Sequence, residues 1–246
     1  MSKIILITGS TDGIGKGTAL KLAKEGHTIY IHGRSEEKID KVIVEIKEAS
    51  NNKNVKGFVA DFSDLNAVKR LAEQIKSDVP RLDILINNAG ILTENIVSVL
   101  EKSTETRVIN LSSAAQTSVK KGILTGDVAI NASDAYAQSK LALTMWSFHF
   151  AKQHPSITTI AVNPGSLLNT KMAKEAYGQH WSPAEKGVNI LYDLATSDAY
   201  KDATGKYFDN DKGETMGHFS QTHPDAYDID LIENLLETTK SMVSEL

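Results

Sequence analysis

The 246-residue chain contains no cysteine, which excludes disulfides, thiolate metal sites and cysteine nucleophiles. Basic residues never run longer than a pair such as Lys120 and Lys121, and the formal net charge is −4 with a pI near 6.0. That balance gives no footprint for nucleic acid or for an anionic membrane surface. The apolar run near the N-terminus, Ile4 to Ile7, is far shorter than a signal-peptide core or a membrane span. The histidines, His149, His154 and His218 among them, lack the spacing of metal ligands, so no metal is expected. Internal repeats, low-complexity tracts and Pro/Gly-rich linkers are also missing. With 41% hydrophobic and 24% charged residues, the expectation is one cytoplasmic domain over residues 1–246.

What is present is alternation. Apolar, β-rich runs are expected as strands at Lys3–Thr8, Thr28–His32, Val55–Ala60, Leu82–Asn87, Arg107–Leu111, Ile157–Val162 and near Lys206–Phe208. Helical spacing separates them at Ile14/Thr18/Leu22, at Ile39/Val42/Ile43/Ile46 and at Leu65/Val68/Leu71/Ile75. Ser182-Pro183-Ala184-Glu185 reads as a helix start with Ser182 as N-cap and Glu185 at the capping-box position. A final helix is expected from about Asp228 to Ser241, after an irregular polar segment from Asp209 to Tyr227. Strands alternating with helices make right-handed βαβ units around a mostly parallel, seven-stranded sheet with helices on both faces.

Directly after the first strand comes Thr8-Gly9-Ser10-Thr11-Asp12-Gly13-Ile14-Gly15, and then a helix. Glycines there allow a tight turn and let backbone N–H groups approach a pyrophosphate, which also gains from the helix dipole. Asp61-Phe62 closes the third strand, Asn87-Asn88-Ala89-Gly90 the fourth and Pro164-Gly165 the sixth. Asp134-Ala135-Tyr136-Ala137-Gln138-Ser139-Lys140 opens a helix, with Tyr136 and Lys140 four apart on one face. Taken together and in this order, the segments resemble the short-chain dehydrogenase/reductase family. AYAQSKLAL and the residues Ala114 to Ser133 are similar to its retinol-dehydrogenase-like branch. The resemblance covers about residues 3 to 208, leaving the tail 209–246 unassigned.

That resemblance implies a single doubly wound Rossmann-type domain and an oxidoreductase that interconverts a carbonyl and an alcohol on apolar small molecules. It implies an adenine contact for Asp61 and Phe62, packing of Asn88, Ala89 and Gly90 against the adenosine ribose, and a nicotinamide pocket beside Pro164 and Gly165. Thr170 matches the residue that contacts the carboxamide, one position later than in the commoner spacing. Tyr136 and Lys140 become the catalytic pair, and Ser113, in Asn110-Leu111-Ser112-Ser113, the hydroxyl that orients substrate. The physical logic is direct: a phenol of pKa ~10 exchanges protons poorly near neutrality, and a nearby ammonium lowers that value. Met172, Tyr177 and Trp181 are expected in a flap over the substrate. Trp146, Phe148 and Phe150 are expected in the core or at a subunit interface.

The end of the second strand bears on which dinucleotide binds, because an acid there bonds the ribose 2′-OH of NAD whereas Arg accommodates the 2′-phosphate of NADP. The sequence is Ile31-His32-Gly33-Arg34, so NADP(H) is expected over NAD(H), through Arg34. Asp12 is acidic where many NADP enzymes carry a base.

One segment is short. Between Gly90 and Thr106 lie only the residues from Ile91 to Glu105, whereas a helix returning along a ~20 Å strand needs ~13 residues by itself. In the family this interval carries a longer helix, a dimer face and an Asn of the catalytic tetrad. Asn95 lacks the helical surroundings to take that role. Either the segment is truly short or the sequence omits residues, and omission is favoured because each flank resembles the family while their junction does not. The alternative to an active enzyme is a catalytically impaired NADP(H)-binding sensor or scaffold of the same fold.

Overall fold

Isoleucines alternating about the strand axis build the centre of the sheet. In β1 (Ile4–Ile7), Ile5 and Ile7 project to one face and Leu6 to the other, as the two-residue period of a strand requires, and all three are buried. Ile7 lies in register with Ile31 of β2 (Thr28–Gly33) on one side and Ile86 of β4 (Ile84–Asn87) on the other. The computed structural model describes residues 2–213 and 216–244, apart from the side chains of Met172, Ala176, Tyr177 and Ser244. Its sheet is completed by β3 (Val55–Val59), β5 (Arg107–Leu111), β6 (Thr158–Asn163), β7 (Lys206–Asp209) and β8 (His218–Phe219). The order is β3-β2-β1-β4-β5-β6-β7-β8, with the first seven parallel and β8 antiparallel to β7.

The seven expected strands are therefore joined by an eighth of two residues, seated where Phe219 pairs with Phe208. Helices α1 (Gly13–Lys24), α2 (Glu36–Ser50) and α8 (Ala184–Thr196) cover the Ile5/Ile7 face through Leu22, Ile46 and Leu191. Helices α3 (Leu65–Asp78) and α6 (Ala132–Gln153) cover the Leu6 face through Leu71, Ile75 and Phe150. Because strand order reverses between β1 and β4, a crevice opens at their carboxyl ends, the place where such sheets bind ligands.

The short crossover between β4 and β5 closes with a 3₁₀ turn at Thr93–Ile96 and one helical turn, α4 (Val97–Leu100). Leu92, Ile96, Val99 and Leu100 are all fully buried beneath it. Phe150 of α6 is stacked on Trp146 at 5.0 Å and meets the His154 ring, tilted, at 4.4 Å on this same face, and Trp146 Nε1 donates to Glu94 at 3.1 Å. Phe148 points the other way, 5.4 Å from the Tyr227 ring, toward a small cluster of Leu141, Met145, Ala226, Ile232 and Leu235. The tail beyond the sheet, including α9 (Ile229–Ser244), is thus packed on α6. Among the described residues the other α-helices are short, α5 (Lys121–Leu124) and α7 (Lys171–Tyr177).

One expected cap is corrected. Pro183, not Ser182, occupies the N-cap of α8. The backbone of Ser182 is already extended and paired with Leu168, its carbonyl accepting from Asn169 N–H at 2.8 Å, so it cannot turn to cap the helix.

Candidate active site

The glycine turn is held from three sides. Asn88 Nδ2 donates to the carbonyls of Thr8 and Gly9, both at 2.9 Å. Thr8 Oγ1 accepts from Ala89 N–H at 3.0 Å and donates to the Gly90 carbonyl at 3.3 Å. A Cβ on Gly15 would lie 2.8 Å from Asn88 Nδ2, so only glycine lets the strand-end motif close on the turn. Asp12 caps α1, its carboxylate accepting from Gly13 N–H at 2.7 Å.

His32 supplies the third side, and nothing in the strand pattern around it marked it out. Its Nδ1 accepts from Gly9 N–H at 3.2 Å, so the ring proton sits on Nε2, which donates to the Ala60 carbonyl at 3.1 Å. Burial pushes its pKa down to about 4, leaving a neutral ring that ties the ends of β1, β2 and β3. Phe62 stacks on it at 4.3 Å and lies under Gly90, where a Cβ would be 2.6 Å from the Phe62 ring. Ser10, expected at the cofactor, is fully buried. Its N–H bonds the His32 carbonyl, while its hydroxyl bridges Ile7 O and His32 N–H, so its polar groups serve the turn itself. Asp61 accepts from the N–H and hydroxyl of Ser63, bonds that hold its carboxyl below the usual range with a smaller contribution from Arg34.

Beside the turn lies an open cleft of about 610 Å³. Arg34, Ser35 and Lys38 line it from β2 and the start of α2, and Thr11 and Asp12 from the turn. Lys171 and Glu175 of α7 complete the wall. The flap expected over the substrate therefore begins across the glycine turn: Thr170 approaches Gly13, with Thr170 Cγ2 3.7 Å from where a Gly13 Cβ would lie. The Thr170 hydroxyl caps α7 by accepting from Ala173 N–H at 3.3 Å and can still donate. Trp181 is 71% exposed. The side chains of Met172 and Tyr177 lie outside the described residues.

The chemical residues gather at the carboxyl end of β5. Lys140 Nζ donates to the Leu111 carbonyl at 2.7 Å and lies 5.4 Å from the centre of the Tyr136 ring. Burial pulls the Lys140 pKa down to about 8. Ser112 fastens β5 to α6, donating to the Lys140 carbonyl at 3.1 Å and pairing with Thr144 Oγ1 at 2.7 Å. Ser113 follows in a turn whose carbonyl accepts from Tyr207 Oη and from Gln116 Nε2, both at 2.9 Å. Gln116 Oε1 in turn accepts from Thr222 Oγ1 at 2.8 Å, so the unassigned tail braces the Ser113 turn. Asn95 lies elsewhere, in a surface groove with Lys69, Arg70 and Glu73.

Asp211, just beyond β7, clamps the Pro164-Gly165-Ser166 turn. Its carboxylate accepts from Ser166 N–H and Oγ, at 2.9 and 2.6 Å to one oxygen, from Asn163 Nδ2 at 2.9 Å and from Lys186 Nζ at 3.1 Å. Although burial opposes it, these donors hold its pKa down to about 2. Nothing in the polar run Asp209-Asn210-Asp211 distinguished this carboxylate, because its partners come from β6 and α8.

The sequence profile of the short chain dehydrogenases matches residues 3–125, and bovine (Bos taurus) retinol dehydrogenase 12 is 30% identical over 85% of this chain and 78% of its own length. The chain belongs to the short-chain dehydrogenase family. It is an oxidoreductase by that membership, and human retinol dehydrogenase 13, 29% identical over 84% of the chain and 76% of its own length, is similar to the same degree. Among solved structures, a short chain dehydrogenase of Escherichia coli CFT073 complexed with NADPH aligns with TM-score 0.71 and 25% identity over 84% of this chain and 95% of that one. No described helix is long and apolar enough to cross a membrane.

Proposed function

We propose that this short-chain dehydrogenase interconverts an apolar aldehyde or ketone and its alcohol with NADP(H), residues 1–246 acting as one dinucleotide-binding and catalytic domain. The observation that carries the reading is the half-withdrawn ammonium of Lys140, 5.4 Å from the Tyr136 ring centre at the carboxyl end of β5, the same end of the parallel sheet at which the glycine turn follows β1. When bound, the nicotinamide supplies the hydride. Tyr136 Oη donates a proton to the carbonyl oxygen in reduction and accepts it in oxidation. Lys140 biases that phenol toward the phenolate and keeps donors for the ribose hydroxyls, and Ser113 holds the substrate oxygen. The turn from Gly9 to Gly15 offers backbone N–H groups to the pyrophosphate, flanked by Thr11 and Asp12. Ala89 and Gly90 would pack against the ribose, Asp61 and Phe62 would hold the adenine, and Thr170, with Pro164 and Gly165, would meet the carboxamide.

Arg34 at the end of β2 supports NADP(H). A charge-assisted bond to phosphate contributes about 1.5–3 kcal/mol, so Arg34→Ala is expected to raise KM for NADPH roughly tenfold or more while KM for NADH stays put. Steady-state kinetics with both cofactors decide it, and equal loss for the two would remove Arg34 from the 2′-phosphate.

The lysine gives a pH signature. Because its folded pKa of about 8 lies below the ordinary 10.5, the ammonium disappears as pH rises through about 8, and kcat/KM for carbonyl reduction should fall on that alkaline limb. Folding carries the opposite sign: the cost of burying the charge is full below about 8 and fades between 8 and 10.5. A kcat/KM profile flat to pH 10 would remove Lys140 from the mechanism.

A second reading, a nucleotide-binding scaffold without turnover, is favoured by one observation: the crossover from residue 91 to 105 has no long helix to carry the tetrad Asn. Tight NADPH binding with no oxidation by any member of a panel of apolar aldehydes and ketones would select it.

A further inference from the structure

The flap helix α7 contributes two charged residues to the adenosine end of the cleft. Lys171 and Glu175 stand on successive turns, 3.6 Å apart, with their side chains 70% and 68% exposed, and both line the same space as Arg34 and Lys38. Thr170, one residue earlier, rests over Gly13. The flap is also anchored behind: Asp211 clamps Ser166, and Leu167 and Asn169 pair with Trp181 and Ser182 across its neck. So the segment leading into α7 is anchored at the Pro164-to-Ser166 turn, and Lys171 and Glu175 face the cleft that Arg34 and Lys38 line.

We propose that Lys171, together with Lys38, completes a three-cation cradle with Arg34 for the ribose 2′-phosphate, so that the flap is fastened by NADP(H) and left unfastened by NAD(H). The proposal rests on the NADP(H) reading above. Its physical basis is an exchange of partners. In the free protein Lys171 is engaged by Glu175 in a solvent-exposed helical pair, a weak and well-screened interaction. A phosphate monoester offers nearly two negative charges and three acceptor oxygens, so it outcompetes a single carboxylate for the same ammonium. Asp12, the other acid on the cleft, is already engaged by Gly13 N–H as the cap of α1. The cradle then holds three cations against two carboxylates, an excess of positive charge where the 2′-phosphate arrives. A cofactor with a plain 2′-hydroxyl gives Lys171 no reason to leave Glu175.

The test compares binding of NADPH, NADH and the fragment 2′-phosphoadenosine to the full chain, wild type and Lys171→Ala, Lys171→Arg and Glu175→Gln. Lys171→Ala should weaken NADPH and 2′-phosphoadenosine by about tenfold, the scale of one charge-assisted phosphate bond, and leave NADH unchanged. Lys171→Arg should restore the wild-type values. Glu175→Gln should tighten NADPH by removing the competitor. Tryptic cleavage after Lys174 should be slowed by saturating NADP⁺ and not by saturating NAD⁺. If Lys171→Ala weakens both cofactors equally, or neither, the cradle is overturned while the Arg34 assignment stands. If the wild type binds NADH as tightly as NADPH, the parent reading fails and this one with it.

Discussion

Tyr136→Phe is expected to lower kcat for carbonyl reduction by about 10²–10⁴-fold, the range contributed by a positioned general acid, with NADPH affinity and thermal stability nearly unchanged. The substitution keeps the ring that faces Lys140 Nζ at 5.4 Å and removes only the hydroxyl. Tyr136 is half-buried at the second turn of α6, so the packing lost is small. Lys140 retains its own anchor on the Leu111 carbonyl, and hence the position from which it is proposed to bind the ribose. Rapid-mixing kinetics with NADPH and an apolar aldehyde, alongside cofactor titration by nicotinamide fluorescence, separate chemistry from binding. Turnover equal to wild type would refute Tyr136 as the acid. A wild type already as slow as the variant would select the scaffold reading.

Gly9→Ala should damage both fold and site. Gly9 has φ +61°, a left-handed conformation that costs an L-residue roughly 1–2 kcal/mol. The new methyl would also lie 2.4 Å from Ala89 Cβ. Ala89 cannot retreat freely, because its N–H is bonded to Thr8 Oγ1 and its neighbour Asn88 grips Thr8 and Gly9. Overpacking of this kind adds roughly 1–3 kcal/mol. A total of about 2–5 kcal/mol corresponds to a Tm lower by about 4–20 °C for a chain of this size. Nucleotide binding should be lost with it, since the pyrophosphate contacts proposed above fall in the same turn. The double variant Gly9→Ala/Ala89→Gly should recover the steric part and not the conformational part. A single variant with wild-type Tm would mean that the turn and the strand-end motif are not packed as described.

Legibility divided by the range of the interactions. The seven long strands, the glycine turn and the Tyr136/Lys140 spacing are local patterns, and each could be read within a dozen residues. The N-cap of α8 was misread for a reason of the opposite kind: Ser182 carries the right local signal, but pairing with Leu168 from another strap keeps it extended. The place of Ser10 in the turn is legible, but the partner of its hydroxyl, His32, lies 22 residues away. His32 itself looked like any strand residue, and its role exists only because Gly9 and Ala60 arrive at its two nitrogens. Asp211 and Gln116 lay in a tail and a loop without pattern, and both are defined by partners from other elements.

Periodicity and a few glycines determined by themselves that this chain alternates strand and helix, turns tightly after β1 and sets a phenol and an amine one helical turn apart. These depend on backbone geometry and on residues at most a few positions away. Tertiary structure alone decided that residues 91–105 close over buried Leu92, Ile96 and Val99, that the tail braces the Ser113 turn, and that α7 brings Lys171 to the cleft that Arg34 also lines. Burial, desolvation and charge pairing act between segments brought together by the sheet order, and no local stretch of sequence contains that order.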